Sequence, residues 1–442
     1  MKLSGLALAL FIGWSSVCCS IHAASEPHLD LAPMLGHVGP TEMRLWLHAT
    51  GPCMPTVRLG EQDDLSDARA VSGAALTADT DFNGTLTVTN LKPATRYFYT
   101  VLLDDQPVLH RPHASFTTAP PSGTPGHVRV AFVSCVGHFA HESAAAWGDM
   151  AARTNFDLLL MLGDNHYGDT THVHHQRSAY YSHRRPAGFQ VISRRTPVYG
   201  IWDDHDFAGN DTDGTAPGKE DSLQVFKEVW ANPAFGQPDD PGVHFKFSHG
   251  DIEFFMLDGR YHRSPNKAKE DGTKTMLGAA QLAWLKRELL VSRARVKFLC
   301  SGGEWQNTGH PDSWASFLRE REDIFQFIDQ HGIQGVLLLS GDRHFTAGYQ
   351  IHSRFIEVTS GPIGSIIAAP GHLNESFLKQ TEGKLYCIYD VDTTGRDPVA
   401  VLEVYRAGHG LVEQCGFSWD EINGKKRLKL LPPPPATTRR GK

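Results

Sequence analysis

Asp164 and Tyr167 stand three apart in the run Asp157–Asp169, DLLLMLGDNHYGD. A carboxylate and a phenol at that spacing can both reach one hard trivalent cation, because oxygen donors suit such ions. Asp204 and His205 are neighbours, so they do not easily bind the same ion; one is placed to be a ligand and the other to face a substrate. Asp342 and His344 are two apart, point the same way if the preceding strand continues, and can reach two adjacent ions. Arg260 and Arg263 carry planar donors that match phosphate oxygens. With the thiol of Cys135, this set suits phosphoryl transfer to water, in which two metals about 3.5–4 Å apart hold the attacking and leaving oxygens.

The elements that must position these groups are strands. Leu158 to Leu162 is an unbroken apolar run, as expected of a strand buried on both faces in a parallel sheet. Gly163 permits a sharp turn there, and Asp164 then projects from the rim, where ligands collect in open α/β sheets. The pattern recurs. VAFVSC ends at Cys135, TPVYGIW runs into Asp203 to Asp206, and IEFFMLD ends at Asp258 just before Arg260. VKFLCSGG runs into Glu304, and GVLLLSG into Asp342, Arg343 and His344. Six apolar runs delivering polar groups at the same end point to one shared site.

At 442 residues the chain calls for two domains, and its formal charge of −7 leaves no basic footprint for nucleic acid. Residues 1–23 read as a secretory signal, with Lys2, the apolar segment Leu3 to Val17, and cleavage after Ala23. No later stretch is long and apolar enough for a transmembrane helix, so the expected location is periplasmic or secreted. A lipid anchor at Cys18 or Cys19 is a weaker reading, since the preceding serines are not the usual leucine. The other five cysteines, widely spaced and odd in number, form no disulfide framework, although Cys387–Cys415 is a candidate pair.

Residues 28–120 alternate apolar and polar side chains between turn-formers, and LKPATRYFYTV with the later SFTTAP resembles the end of a fibronectin type III sandwich. That resemblance gives Tyr97 the corner role, its hydroxyl tied to the backbone upstream. A stiff linker follows at 121–127. From residue 128 to about 430, strands alternate with helical patterns over Gly278 to Ser292 and Ser313 to Gly332, and FKFSHGDIEFFML reads as a hairpin. Short strands return at Leu385 to Val391, Ala400 to Tyr405 and Leu411 to Phe417, before a disordered tail at 431–442.

Taken together, SCVGHF, GDNHY, WDDHDFAGND, DGRYHR and SGDRH resemble the motif series of the PhoD-like alkaline phosphatases, in the calcineurin-like metallophosphoesterase superfamily. The resemblance spans roughly residues 128–364 and implies a four-layer α/β/β/α sandwich preceded by a small all-β fibronectin type III-like domain. It implies that Cys135, Asp164, Tyr167, Asp204, Asp342 and His344 are metal ligands, with Asp164 bridging. Tyr167 then implies Fe3+ at the first metal. Asp204 and Asp342 make an all-oxygen second site that implies Ca2+. His205 would donate to the phosphoryl oxygen or the leaving group, with Arg260 and Arg263 beside it. The superfamily's separate histidine on the penultimate strand is missing, and Glu304 lies near that place.

The implied substrate is a phosphate ester, either a small molecule or a phosphodiester polymer or lipid; Arg260, Arg263 and Arg343 lean towards a highly charged one. The sequence carries no signal of oligomeric state. HVHH at His172 to His175 reads as a solvated loop, and His138 and His141 as possible lining of the cleft. Asn210 and Asp211 read as turn-formers that hold His205, and Glu253 and Glu357 as outward strand faces. Two other classes stay open: a surface-binding protein in which the sandwich does the work, and a zinc hydrolase built on other histidines. The first needs missing ligands, and for the second no HExxH or CxxC occurs.

Overall fold

The computed structural model describes residues 26–428, apart from 110–111, 154, 307–309 and 369–375. The expected signal, with Cys18 and Cys19, and the expected tail lie outside the described residues.

The N-terminal strands are β1 (Met34–Val38), β2 (Met43–His48), β3 (Pro55–Gly60), β4 (Arg69–Ser72), β5 (Asn83–Val88), β6 (Arg96–Leu103), β7 (Gln106–Pro107) and β8 (Ala114–Thr117). They build two sheets, β1-β2-β5 and β4-β3-β6-β7, with β8 paired to β6. Alternation along RYFYTVLL turns Tyr97, Tyr99, Val101 and Leu103 into a core that these strands keep to themselves. The Tyr97 hydroxyl accepts from the Lys92 backbone N–H at 3.0 Å, the upstream tie expected of the corner. Trp46 docks this region on the rest: its indole N–H donates to the Glu228 carbonyl at 3.1 Å, and the Arg184 guanidinium lies 4.5 Å over its ring.

The larger region begins with β9 (His127–Val133), α1 (Ala140–Arg153), β10 (Leu158–Leu162), α2 (Val173–Arg184), α3 (Ala187–Ser193), β11 (Val198–Ile201), α4 (Asp204–Phe207) and α5 (Lys219–Val229). It continues with β12 (Phe245–His249), β13 (Ile252–Met256), α6 (Ala279–Val291), β14 (Val296–Cys300), α7 (Leu318–Gln330), β15 (Val336–Ser340), β16 (Thr346–Ile351), β17 (Phe355–Thr359) and β18 (Ser376–Gln380). It closes with β19 (Leu385–Asp392), β20 (Val399–Arg406), β21 (Gly410–Phe417) and α8 (Trp419–Ile422).

One sheet runs β11-β10-β9-β19-β20-β21 and the other β12-β13-β14-β15-β17-β16-β18. Within them β9, β10 and β11 are mutually parallel, as are β13, β14 and β15, so each set opens its carboxyl ends at one edge. The sheets face each other through rings: Phe298 of β14 lies 5.4 Å from Tyr389 of β19, which stacks on Phe132 of β9 at 5.6 Å. Leu285, Leu289, Ile324 and Ile328 of α6 and α7 pack on Leu299 and Leu338 of the second sheet. Trp147, Phe189 and Phe226 of α1, α3 and α5 join the core of the first. The result is a four-layer α/β/β/α sandwich preceded by a small all-β region.

Three expectations are corrected. His172 precedes the first turn of α2 and His174 and His175 lie within it, so this stretch is a solvated helix start, not a loop. Glu253 and Glu357 are buried, the latter fully, because β13 and β17 both lie inside the second sheet with layers on both faces. Cys387 and Cys415 are both free and buried. β20 runs between their strands, which sets their backbones about 9–10 Å apart, beyond the ~7 Å that a disulfide spans.

Candidate metal centre

The carboxyl ends of the two parallel sets meet at one edge, and there the backbone departs from ordinary geometry. Cys135, Asp164 and Asp342 follow β9, β10 and β15, and all three have positive φ, at 59°, 51° and 66°. Such a left-handed turn costs a side chain with a Cβ about 1–2 kcal/mol, and residues so held cluster at functional sites. Gly163 allows the turn after β10: its φ is +97°, and a Cβ there would lie 2.5 Å from that of Asp203.

These turns bring the side chains together. Asp164 Oδ2 accepts from the Cys135 thiol at 3.4 Å and from the Tyr167 hydroxyl at 3.1 Å. The Tyr167 hydroxyl also lies 3.0 Å from His344 Nε2 and accepts from Ser365 at 2.9 Å. Ligand atoms of Cys135, Asp164 and His344 lie within 4.8 Å of one another, as do those of Asp164, Asp204 and His205, and those of Asp204, Asp211 and Asp312. Asp164 thus belongs to two neighbouring sets.

In WDDHD the roles alternate. Asp203 and Asp206 form the capping box of α4, and Asp206 Oδ1 also accepts from the Asn165 backbone at 2.9 Å. Burial holds Asp203 and Asp206 at about 6 and about 7. His205 turns to the cavity instead, which has a volume of about 180 Å³ and is lined also by Asp164, Asp342, Arg343 and His344, while Asp204 keeps a carboxylate oxygen within 4.8 Å of ligand atoms of Asp164 and His205. His205 Nδ1 lies 2.5 Å from Asp169 Oδ1, and its ring lies 4.0 Å from that of Tyr167. Burial works against the imidazolium, but Asp169 and then Asp204 outweigh it and raise His205 above its ordinary value.

The donor set fits metal ions. Asp164 Oδ1 and Asp342 Oδ2 are buried and meet no hydrogen-bond donor among the described residues. Burial and then neighbouring carboxylates push Asp164 and Asp342 well above the carboxylate range. Burial, followed by Asp164, does the same to the Cys135 thiol and the Tyr167 phenol. Burial and then His205 hold His344 at about 4, so its imidazole is neutral and free to ligate. Cations among these groups would relieve each of these shifts except that of His344, which they accept as it stands.

Arg260 and Arg263 sit behind this wall. Arg260 Nε donates to Asp203 at 2.6 Å and its Nη2 to Asp312 at 2.6 Å, while Nη1 donates to the Thr212 carbonyl at 3.0 Å. Arg263 Nη2 donates to the other Asp312 oxygen at 2.6 Å and its Nε to Asn266 at 3.1 Å. Both are buried, and neither lines the cavity. Instead of standing beside the phosphate, as expected, Arg260 braces Asp203 and both arginines clamp Asp312. Glu304 is buried too, accepting from the Tyr349 hydroxyl at 3.3 Å. The His138 ring lies 4.8 Å from Tyr167, whereas His141 stacks on Phe139. Asp211 reaches the cavity, and its backbone N–H donates to Asp204 Oδ2 at 2.7 Å.

Sequence reasoning missed Asp169, Asp312 and His310. Asp169 lay in view, five residues beyond Asp164. Asp312 and His310, in a polar GHPDSW stretch away from any strand end, gave no signal.

Two facing sheets with carboxylate, imidazole, phenol and thiol groups at one shared edge define a metallophosphoesterase sandwich. A family model described as PhoD-like phosphatase matches residues 130–387, more than half of the chain, and the chain belongs to that family. A second, described as a domain of unknown function, matches residues 26–121. The chain is 25% identical to alkaline phosphatase D of Bacillus subtilis (strain 168) over 300 residues, 56% of this chain and 51% of that protein, so it spans about half of that curated relative. The solved structure of PhoD superposes with a TM-score of 0.76 at 17% identity, covering 89% of this chain and 90% of that one. A purple acid phosphatase from yellow lupin gives 0.62 at 14% identity, covering 90% and 75%. At these identities the structural likeness speaks for the fold.

Proposed function

We propose that the protein is an exported, metal-dependent phosphoric ester hydrolase of the alkaline phosphatase D type. The observation that carries this is the buried set of mutually repelling donors at the shared edge of both sheets, with carboxylate oxygens that meet no donor among the described residues. Cys135, Asp164, Tyr167 and His344 would hold one ion, and Asp164, Asp204 and Asp342 a second. Thiol, phenol and imidazole on the first suit Fe3+, and oxygen alone on the second suits Ca2+. When bound, the ions supply Lewis acidity and lower the pKa of water.

The chain's own residues do the rest. Asp169 fixes the His205 ring through Nδ1 and, with Asp204, favours its protonated form, so Nε2–H is the donor offered to the cavity. As water's oxygen bonds to phosphorus and the ester P–O bond breaks, that proton passes to the leaving oxygen. The substrate is a phosphate ester. Export rests on the Lys2 and Leu3 to Val17 pattern, and no helix of the described residues is long and apolar enough to cross a membrane.

Elemental analysis of natively purified protein, with a nitrophenyl phosphate assay before and after chelation, tests the reading. Two metals per chain and hydrolysis lost on chelation are expected. With iron present, Tyr167 and Cys135 would give charge-transfer absorption in the visible, which Tyr167→Phe should shift. A colourless but active enzyme would remove iron and leave the two-metal reading. A metal-free protein that hydrolyses no phosphate ester would favour a binding role for the N-terminal strands.

A further inference from the structure

Arg343 differs from the two arginines behind the wall. It lies between Asp342 and His344, directly after β15, and lines the same cavity as Asp164 and His205. Among the described residues lining that cavity, it is the one arginine or lysine. Its nearest carboxylates, Asp342 and Glu304, are each 3.8 Å from a guanidinium nitrogen, too far for a hydrogen bond. Its Nε is buried and meets no acceptor among the described residues, yet the side chain keeps 15% of its surface open. The guanidinium lies 5.8 Å over the Phe345 ring, a weak contact that still limits where its plane can turn. Burying Nε without an acceptor is unfavourable, and the planar fork is shaped for two oxygens of a carboxylate or phosphate.

We infer that Arg343 grips the phosphoryl group of the substrate and sets the site's preference for phosphate monoesters over diesters. This rests on the hydrolase reading above. A monoester carries close to two negative charges near neutral pH, like a phosphorylated side chain, and three non-bridging oxygens. A diester carries one charge and two such oxygens, so the extra oxygen and charge need a donor that a diester does without. Arg260 and Arg263 cannot supply it, because their donors are engaged by Asp203, Asp312, Asn266 and Thr212. Asp211, also at the cavity, is an acid and cannot supply it either.

The test compares metal-loaded wild type with Arg343→Ala, Arg343→Gln and Arg343→Lys on nitrophenyl phosphate and on its bis-nitrophenyl diester, with inorganic phosphate binding followed by calorimetry. Loss of a charge-assisted pair of hydrogen bonds should lower monoester kcat/KM about 10–100-fold and weaken phosphate by a similar factor. Diester kcat/KM should change less than about threefold, Lys should recover part of the monoester loss, and metal content should be unchanged. Equal losses on both esters, no loss on either, or loss of metal in the Ala and Gln variants would overturn the inference. Failure of the hydrolase reading is a separate result: metal-loaded wild type that turns over neither ester. Phosphate binding then decides alone, and an unchanged Kd in Arg343→Ala overturns the grip.

Discussion

Two acidic regions lie side by side, one lining the cavity and one behind it, and they are built on opposite principles. Around Asp312, two guanidinium groups engage both carboxylate oxygens at 2.6 Å. Burial would raise that carboxyl, but Arg260 and Arg263 outweigh it and hold it far below the usual range. Around Asp164 and Asp342 no cation among the described residues is in hydrogen-bond contact, and both carboxyls are pushed well above that range. The backbone divides the same way: Asp164 and Asp342 have φ of 51° and 66°, whereas Asp203, the partner of Arg260, has φ of −129°. The type of side chain therefore does not separate frame from site. What separates them is whether the protein itself neutralises the charge, and whether the backbone is strained to present it.

The comparison breaks first on His205. His205→Ala should lower turnover about 10²–10⁴-fold while metal content stays, because the ring is placed to move a proton. If the variant loses metal, His205 belongs with the ligands. Next comes the frame. Asp312→Asn leaves two buried guanidinium groups short of an anion and should destabilise the fold by about 3–5 kcal/mol, read by denaturant unfolding of the metal-loaded protein. A loss under about 1 kcal/mol would mean that the network is no brace.

The frame also has a pH signature. The folded Asp312 carboxyl lies below its unfolded value of about 4, so its contribution is complete above about pH 4 and is lost as pH falls through the folded value. Wild type should therefore lose more stability than Asp312→Asn between about pH 4 and pH 2; parallel acid profiles would contradict this. The smallest effect concerns Asp169. With 42% of its side chain exposed, it is solvated, and Asp169→Asn should lower turnover only about 10–100-fold, with the alkaline limb of the pH–rate profile, where His205 loses its proton, moved to lower pH. An unmoved limb would remove it from the proton path.

Much of the site was legible because strands announce themselves. LLLML, VLLLS and VYGI are short, apolar and followed at once by acids, and that fixed both the sheets and the edge where Asp164, Asp204 and Asp342 converge. The residues misplaced were those whose fate depends on distant partners. Arg260 is a plausible phosphate donor until Asp312, fifty-two positions on, is folded against it. Glu357 in FIEVT has the spacing of a solvent-facing strand residue. Only the placement of β17 between β15 and β16 buries it, where the Trp305 backbone N–H and the Ser340 hydroxyl donate to it at 2.7 Å. The start of α2 lacked a capping signal: His172 stands at the cap position and makes no side-chain cap bond.

Elemental analysis of Asp164→Asn tests the central claim most directly. Asparagine keeps the size and removes the charge that would lie between two cations. At ~4 Å even well-screened unit charges repel by a few kcal/mol. Asp164→Asn should purify folded, with at least one metal missing and nearly all turnover gone. An Asp164→Asn protein that holds the wild-type metal content and turns over substrate would show that these strand ends do not meet at a metal centre organised by Asp164.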